Sequence, residues 1–291
     1  MTVHRRTLTP GEPGRPGLPD PFRVRIAGRH SYDRVSHGYL RVDEADGPPL
    51  LDAIVRAYRE VFPVAAEGRE PPLPAPEPGI ARGELWDAGG DFIPDFPAAI
   101  ELAFGVDVFR LSAVGGDFAL ELSGRPIIVV GETPNWFFQN WSLAHELGHI
   151  LRGDLAEVGA PVANSRTVER AANAFAAELL MPRLELECID WDLILPDAIA
   201  EYLWAVGVST KALASRLTSL KLPVSPLTRK TLSLPTRSLV SQFFSADVIA
   251  ARVARSASRR IPTDLVDAHL AAVAERQLPA TTLEWLLGND G

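Results

Sequence analysis

The stretch Trp141–Gly153 reads WSLAHELGHILRG, with His145 and His149 four residues apart and Glu146 directly after the first. On an α-helix the two histidines lie about 40° apart around the axis with a rise of about 6 Å, so both rings can bind one ion. Leu143, Leu147, Ile150 and Leu151 fall on the opposite side, at about 140° to 240° from His145. The leucine face is expected to enter a core and the histidine face to line a cleft. A His-Glu-x-x-His pattern arises by chance in roughly one chain in a hundred of this length, so a third ligand is required. Catalytic zinc takes three protein ligands and keeps one position open.

A third histidine at metzincin spacing is absent, since Arg152 and Leu155 stand at those positions. His4, His30, His37 and His269 have no ligand-like spacing and read as surface or satisfied core side chains. Carboxylates remain, and the next helical stretch, TVERAANAFAAELLMP, offers Glu169 and Glu178. Nine residues of helix turn through about 900°, so the two point in opposite directions. Glu169 shares an inward stripe with Asn173, Ala176 and Leu180, where a carboxylate is costly unless a cation neutralises it. Glu169 is therefore the expected third ligand, and Glu178 is expected in solvent. Asn173, one turn on, is expected to hold the free ring nitrogen of a ligand histidine. Glu146, about 100° around from His145, lies beside the ion, placed to move a proton from water to the leaving amine. Tyr202, Arg152 and Arg183 are all available as oxyanion donors, and the sequence does not select among them.

LAHELGHIL followed about twenty residues on by ERAANAFAAELLMP resembles the ImmA/IrrE metallopeptidases, a gluzincin-like family. FPAAIELAFGVDVFRL and RPIIVVGE…NWFFQNWSLAHELGH resemble the segments around their small sheet, and VGVSTKALASRLTSL their helix-turn-helix-like piece. The likeness spans Asp95–Leu220. It implies a Zn2+ endopeptidase with His145, His149 and Glu169 as ligands and Glu146 as the catalytic glutamate. It also implies a helix-turn-helix (XRE-type) repressor as substrate, cut in a stress or mobile-element response. The alternative reading is a DNA-binding or non-cleaving, repressor-binding regulator with a structural metal site.

The chain's 291 residues, 46% hydrophobic and 23% charged, suit a globular protein with a substantial core. No run of about 18 apolar residues suggests a membrane span. No apolar run follows the basic N-terminus, so it is not read as a signal peptide, and the expected location is the cytoplasm. The lone Cys188 excludes an internal disulfide and reads as a small buried hydrophobe. Residues 211–291 carry eleven Lys/Arg against six Asp/Glu, although the whole chain has a net charge of −8. The basic tail and the turn at Gly207 keep DNA binding open without favouring it.

The expected fold class is α+β: a small antiparallel-containing sheet packed on the histidine helix and a second ligand helix, followed by a helical C-terminal region. Residues 1–47 are read as disordered or irregular, and 48–80 as an amphipathic helix (Pro49–Phe62) with a Pro-rich linker. Residues 81–185 form the expected peptidase core, and 186–291 a helical region whose helix-turn-helix-like part covers about 196–220. A helix ends at Gly105 before a strand at Val108–Leu111, and a hairpin turns at Ser123-Gly124. The aromatic run NWFFQNW (Asn135–Trp141) reads either as core or as the wall of a substrate groove.

Overall fold

The computed structural model describes residues 24–27, 30–33, 38–41, 49–62, 76–112, 114, 116–157 and 165–288. Strands β1 (Val24–Ile26), β2 (His30–Asp33) and β3 (Gly38–Arg41) come first, then helices α1 (Pro49–Val61) and α2 (Pro78–Gly89). The central part runs α3 (Phe96–Phe104), β4 (Asp107–Leu111), β5 (Phe118–Leu122), β6 (Arg125–Gly131), α4 (Trp136–Leu151), β7 (Ala156–Glu157) and α5 (Ser165–Leu180). Next come α6 (Arg183–Glu187), α7 (Pro196–Val206), α8 (Thr210–Leu220), α9 (Pro226–Leu232) and α10 (Thr236–Val240). The last are α11 (Ala246–Ala257), α12 (Thr263–Ala274) and α13 (Thr281–Leu286). The fold class is α+β, as expected.

A five-stranded sheet has the order β4-β6-β5-β1-β7, with β4 parallel to β6 and the other pairs antiparallel. Gly105, in the left-handed region at φ 59°, ends α3 and returns the chain into β4. Ser123 and Gly124 both have positive φ, as a two-residue hairpin between twisted strands requires.

Period-2 alternation splits the sheet into two faces. Val108, Ala119, Ile128 and Val130 join the core shared with α3, α4, α5, α7 and α8. Phe109, Leu111, Phe118, Leu120, Leu122, Ile127 and Val129 face the other way, onto Ile54, Ala57 and Tyr58 of α1 and Leu265 and Leu286 of α12 and α13. Helices from both ends of the chain therefore cover the far face. His269 on α12 is fully buried there, its Nε2 2.9 Å from the Ala57 carbonyl, a satisfied core histidine.

Two expectations need correction. Residues 1–47 include three strands, and β1 pairs along its whole length with β5. β2 and β3 pair with each other, whereas the partners of β1 lie about a hundred residues or more away, so no local pattern signals β1. Cys188 is exposed rather than buried, where it follows the five-residue helix α6 as its C-cap. The expected linker after Phe62 falls mostly outside the described residues, and α2 begins at its end, at Pro78. Residues 1–20 also lie outside the described residues.

Candidate active site

Helix α4 starts where the Asn135 side chain accepts the Phe138 amide at 3.2 Å. The helix is enclosed on all sides, between the sheet on one flank and α5 and α3 on the others. His145, Glu146 and His149 are buried to within 1% of complete. A pattern of opposite polar and apolar faces predicted a more open histidine side. Burial is instead completed by α5, which lies close because Gly148 has no side chain. A Cβ there would come within 3.0 to 3.3 Å of the Phe175 side chain.

Close contact brings Glu169, in the second turn of α5, against both histidines. Its carboxylate oxygens lie 3.3 Å from His145 Nε2 and 3.7 Å from His149 Nε2. The two Nε2 atoms are 3.1 Å apart. Tetrahedral zinc with bonds of about 2.0–2.1 Å spaces its ligand atoms about 3.3 Å apart. One ligand atom from each of the three residues meets within 4.8 Å. Size and donor set thus fit a cation bound by two imidazoles and a carboxylate.

The carboxyl of Glu146 belongs to the same centre. Burial pushes it up to about 8, against the pull of His149, and the negative charges of Asp117 and Glu169 add to the rise. The Ala119 backbone amide offers it a hydrogen bond, while its Oε2 has no hydrogen-bond partner among the described residues. Burial by itself would lower His149, but hydrogen bonds to Asp154 and Glu169 and the charge of Glu146 raise it to about 10. At neutral pH the metal-free centre therefore holds an imidazolium where a cation would sit.

Asn173 does not take the position expected of it. Its Nδ2 donates 2.9 Å to the Glu169 carbonyl, within its own helix. Asp154 instead places Oδ2 3.3 Å from His149 Nδ1 and accepts from Arg152 Nε at 3.1 Å. The chain turns back at Gly153, φ 69°, and the Asp154 amide bonds the His149 carbonyl. An acid directly after a glycine at the end of a ligand helix was the signal available. It has no helical periodicity, so a search by helical face passes over it.

The other candidates separate. Tyr202 packs on Trp191, and its charged neighbours Arg82 and Arg216 bond the carbonyls of Leu179 and Met181. Ten residues of α5, about 15 Å, lie between Leu179 and Glu169. Arg183 pairs with Glu187 at that same far end. Glu178, expected in solvent, is half-buried and bonds Arg216 and the Arg183 amide. Trp136, from the aromatic run, is buried against Trp204 and Val240, which is the core reading.

Residues 102–218 match the family model Peptidase_M78, described as the IrrE N-terminal-like domain. No curated protein and no solved structure matches the chain. The matched span contains β4 to β6, the paired histidines of α4, Glu169 on α5, the whole of α7, and α8 as far as residue 218. The match places an IrrE N-terminal-like domain, of a metallopeptidase-type family, at residues 102–218 and supports kinship with the ImmA/IrrE proteins.

Proposed function

We propose that the chain is a zinc-dependent endopeptidase, with His145, His149 and Glu169 as ligands and Glu146 as the proton-transfer residue. The observation that carries this is the meeting of the three ligand atoms beside a buried carboxyl whose Oε2 has no hydrogen-bond partner among the described residues. Two imidazoles and one carboxylate are a donor set that suits zinc. When bound, the ion supplies Lewis-acid activation of a water and of the scissile carbonyl.

Glu146 takes the proton of the attacking water and delivers it to the leaving amine nitrogen. Its enclosure favours the neutral form, so it can hold that proton between the two transfers. Asp154 turns the His149 ring so that Nε2 faces Glu169 and His145. The substrate we assign is a helix-turn-helix repressor, cut in the cytoplasm during a stress or mobile-element response. Family resemblance supports that assignment, and no described helix is long and apolar enough to cross a membrane.

The test compares newly formed protein N-termini in the native host carrying wild type or Glu146→Gln, with and without stress. A single new terminus inside a repressor, present only with wild type, is the expected result. Purified Glu146→Gln should keep its zinc and lose about 10²–10⁴-fold in kcat, as expected for loss of a general base. Equal activity of the two proteins, or equal termini in the two strains, would sink the reading.

A further inference from the structure

Strand β1 lies in the slot between β5 and β7, the two strands that flank the proposed active site. β7 begins two residues after Asp154, the residue held against His149. On the other side β5 brings Ala119 to Glu146. β1 runs antiparallel to β5 with Val24, Arg25 and Ile26 opposite Leu122, Glu121 and Leu120. The Ala27 amide then donates 2.9 Å to the Ala119 carbonyl. In an antiparallel pair the N–H and C=O of one residue point to the same side, so the Ala119 amide also points to the β1 edge. It is the amide that offers a bond to Glu146. β1 thus stops pairing with β5 where the proton-transfer residue reaches the strand edge.

We infer that β1 is an intramolecular occupant of the substrate slot, and that an extended substrate segment docks on β5 in its place. This rests on the peptidase reading above. An added strand gains its affinity from main-chain bonds and its selectivity from alternate side chains. The occupant therefore shows what the slot accepts. Arg25, on the α4 side of the strand, bonds Glu121 at 3.3 Å and donates 2.7 Å to the Leu155 carbonyl. Val24 and Ile26 point to the opposite, apolar face, and Ala27 is buried nearest Glu146. The slot accordingly selects an extended segment with a small residue beside Glu146 and a basic residue two positions before it.

β1 suits exchange rather than permanent membership. It is three residues long and half-buried throughout, whereas β5 is buried at every position but one. Three residues of ladder fix little, so their opening is expected to be local.

A fluorescein-labelled peptide of the sequence PFRVRIAGRH, residues 21–30, is titrated onto full-length zinc-loaded Glu146→Gln, with and without Arg25→Glu. Arg25→Glu opposes Glu121 and releases the resident strand, so the peptide should bind at least tenfold tighter to that protein. A peptide with glutamate in place of its own central arginine should not gain. Equal binding of the first peptide to both proteins would overturn the inference. Amide exchange on the wild-type chain covers misfolding of the variant. The Ile26 and Ala27 amides should exchange at least a hundredfold faster than those of Leu120 and Ile128, and equal protection would make β1 a fixed strand. Binding is read without turnover, so strand exchange without hydrolysis of the peptide by the Arg25→Glu single variant would count against the peptidase reading alone.

Discussion

His149 and Glu146 hold their protons in the metal-free protein for different reasons, and the difference sets how the centre responds to pH. Carboxylates at Asp154, Glu169 and Glu146 raise His149 to about 10, whereas burial raises Glu146 to about 8. A ligand imidazole must give up its proton, so cation binding to this centre releases protons at pH 7. Apparent affinity should therefore rise about tenfold per pH unit from His149 alone between pH 8 and 9, and more steeply below 8, where Glu146 is also protonated. Zinc titrations in two buffers of different ionisation enthalpy measure the proton count directly. Zero protons released at pH 7 would contradict the arrangement of carboxylates around His149. The metal-free chain should respond in the opposite sense. Both groups have folded values above their unfolded ones, so the stabilisation from His149 is complete below its unfolded value near 6.5 and is lost as pH rises through 10. Glu146 adds a loss of the same sign between its unfolded value of 4.5 and 8. Thermal melts of metal-free protein should accordingly fall from pH 6 to pH 9.

The pairing of α4 with α5 makes the ligand set, and it depends on one missing side chain. Gly148 lets Phe175 approach so closely that a Cβ would meet three of its atoms at 3.0 to 3.3 Å. Gly148→Ala must therefore move either Phe175 or the whole of α5, and Glu169 moves with the helix. Overpacking of this kind costs about 1–3 kcal/mol, partly offset by the better helix propensity of alanine. The expected variant folds with a lowered denaturation midpoint and binds zinc at least tenfold more weakly than wild type. Unchanged zinc affinity with lowered stability would mean that Phe175 yields and α5 stays in place. The juxtaposition of both histidines with Glu169 was legible because helical periodicity fixes direction from spacing alone. Asp154 was not, since its approach depends on the positive φ of Gly153, a loop conformation with no repeating signal. Asn173 shows the converse limit. Its position on the helix was read correctly, but a bond to the Glu169 carbonyl one turn back holds its amide.

At the scale of the molecule, the far face of the sheet joins chain segments that sequence reading kept apart. Phe109, Phe118 and Leu120 alternate with the residues facing α4, so both faces of these strands are apolar and both need cover. The apolar strands announced that need, but not that α1 and α12–α13 would meet it, because such contacts span over 200 residues and carry no local pattern. The buried Arg110 fastens the same union. Its guanidinium donates to Gln139 on α4 and to the carbonyls of Arg255 and Ser258, while its backbone exchanges two hydrogen bonds with Arg260. Burial and the neighbouring Arg260 lower this guanidinium to about 10, still charged at neutral pH. The active-site helix and the C-terminal helices therefore share one buried charge and one sheet, and should unfold together. Leu265→Asp tests this from the side of the sheet away from the metal. Leu265 is 1% exposed in the far-face core, and an unpaired carboxylate there, together with lost packing, is expected to cost about 3–5 kcal/mol. Denaturant unfolding of the variant, followed by far-UV signal and by zinc release, should show coincident transitions at a lower midpoint. If zinc release keeps its wild-type midpoint while helical signal is lost earlier, the C-terminal helices fold as a separate unit and the shared core does not support the site.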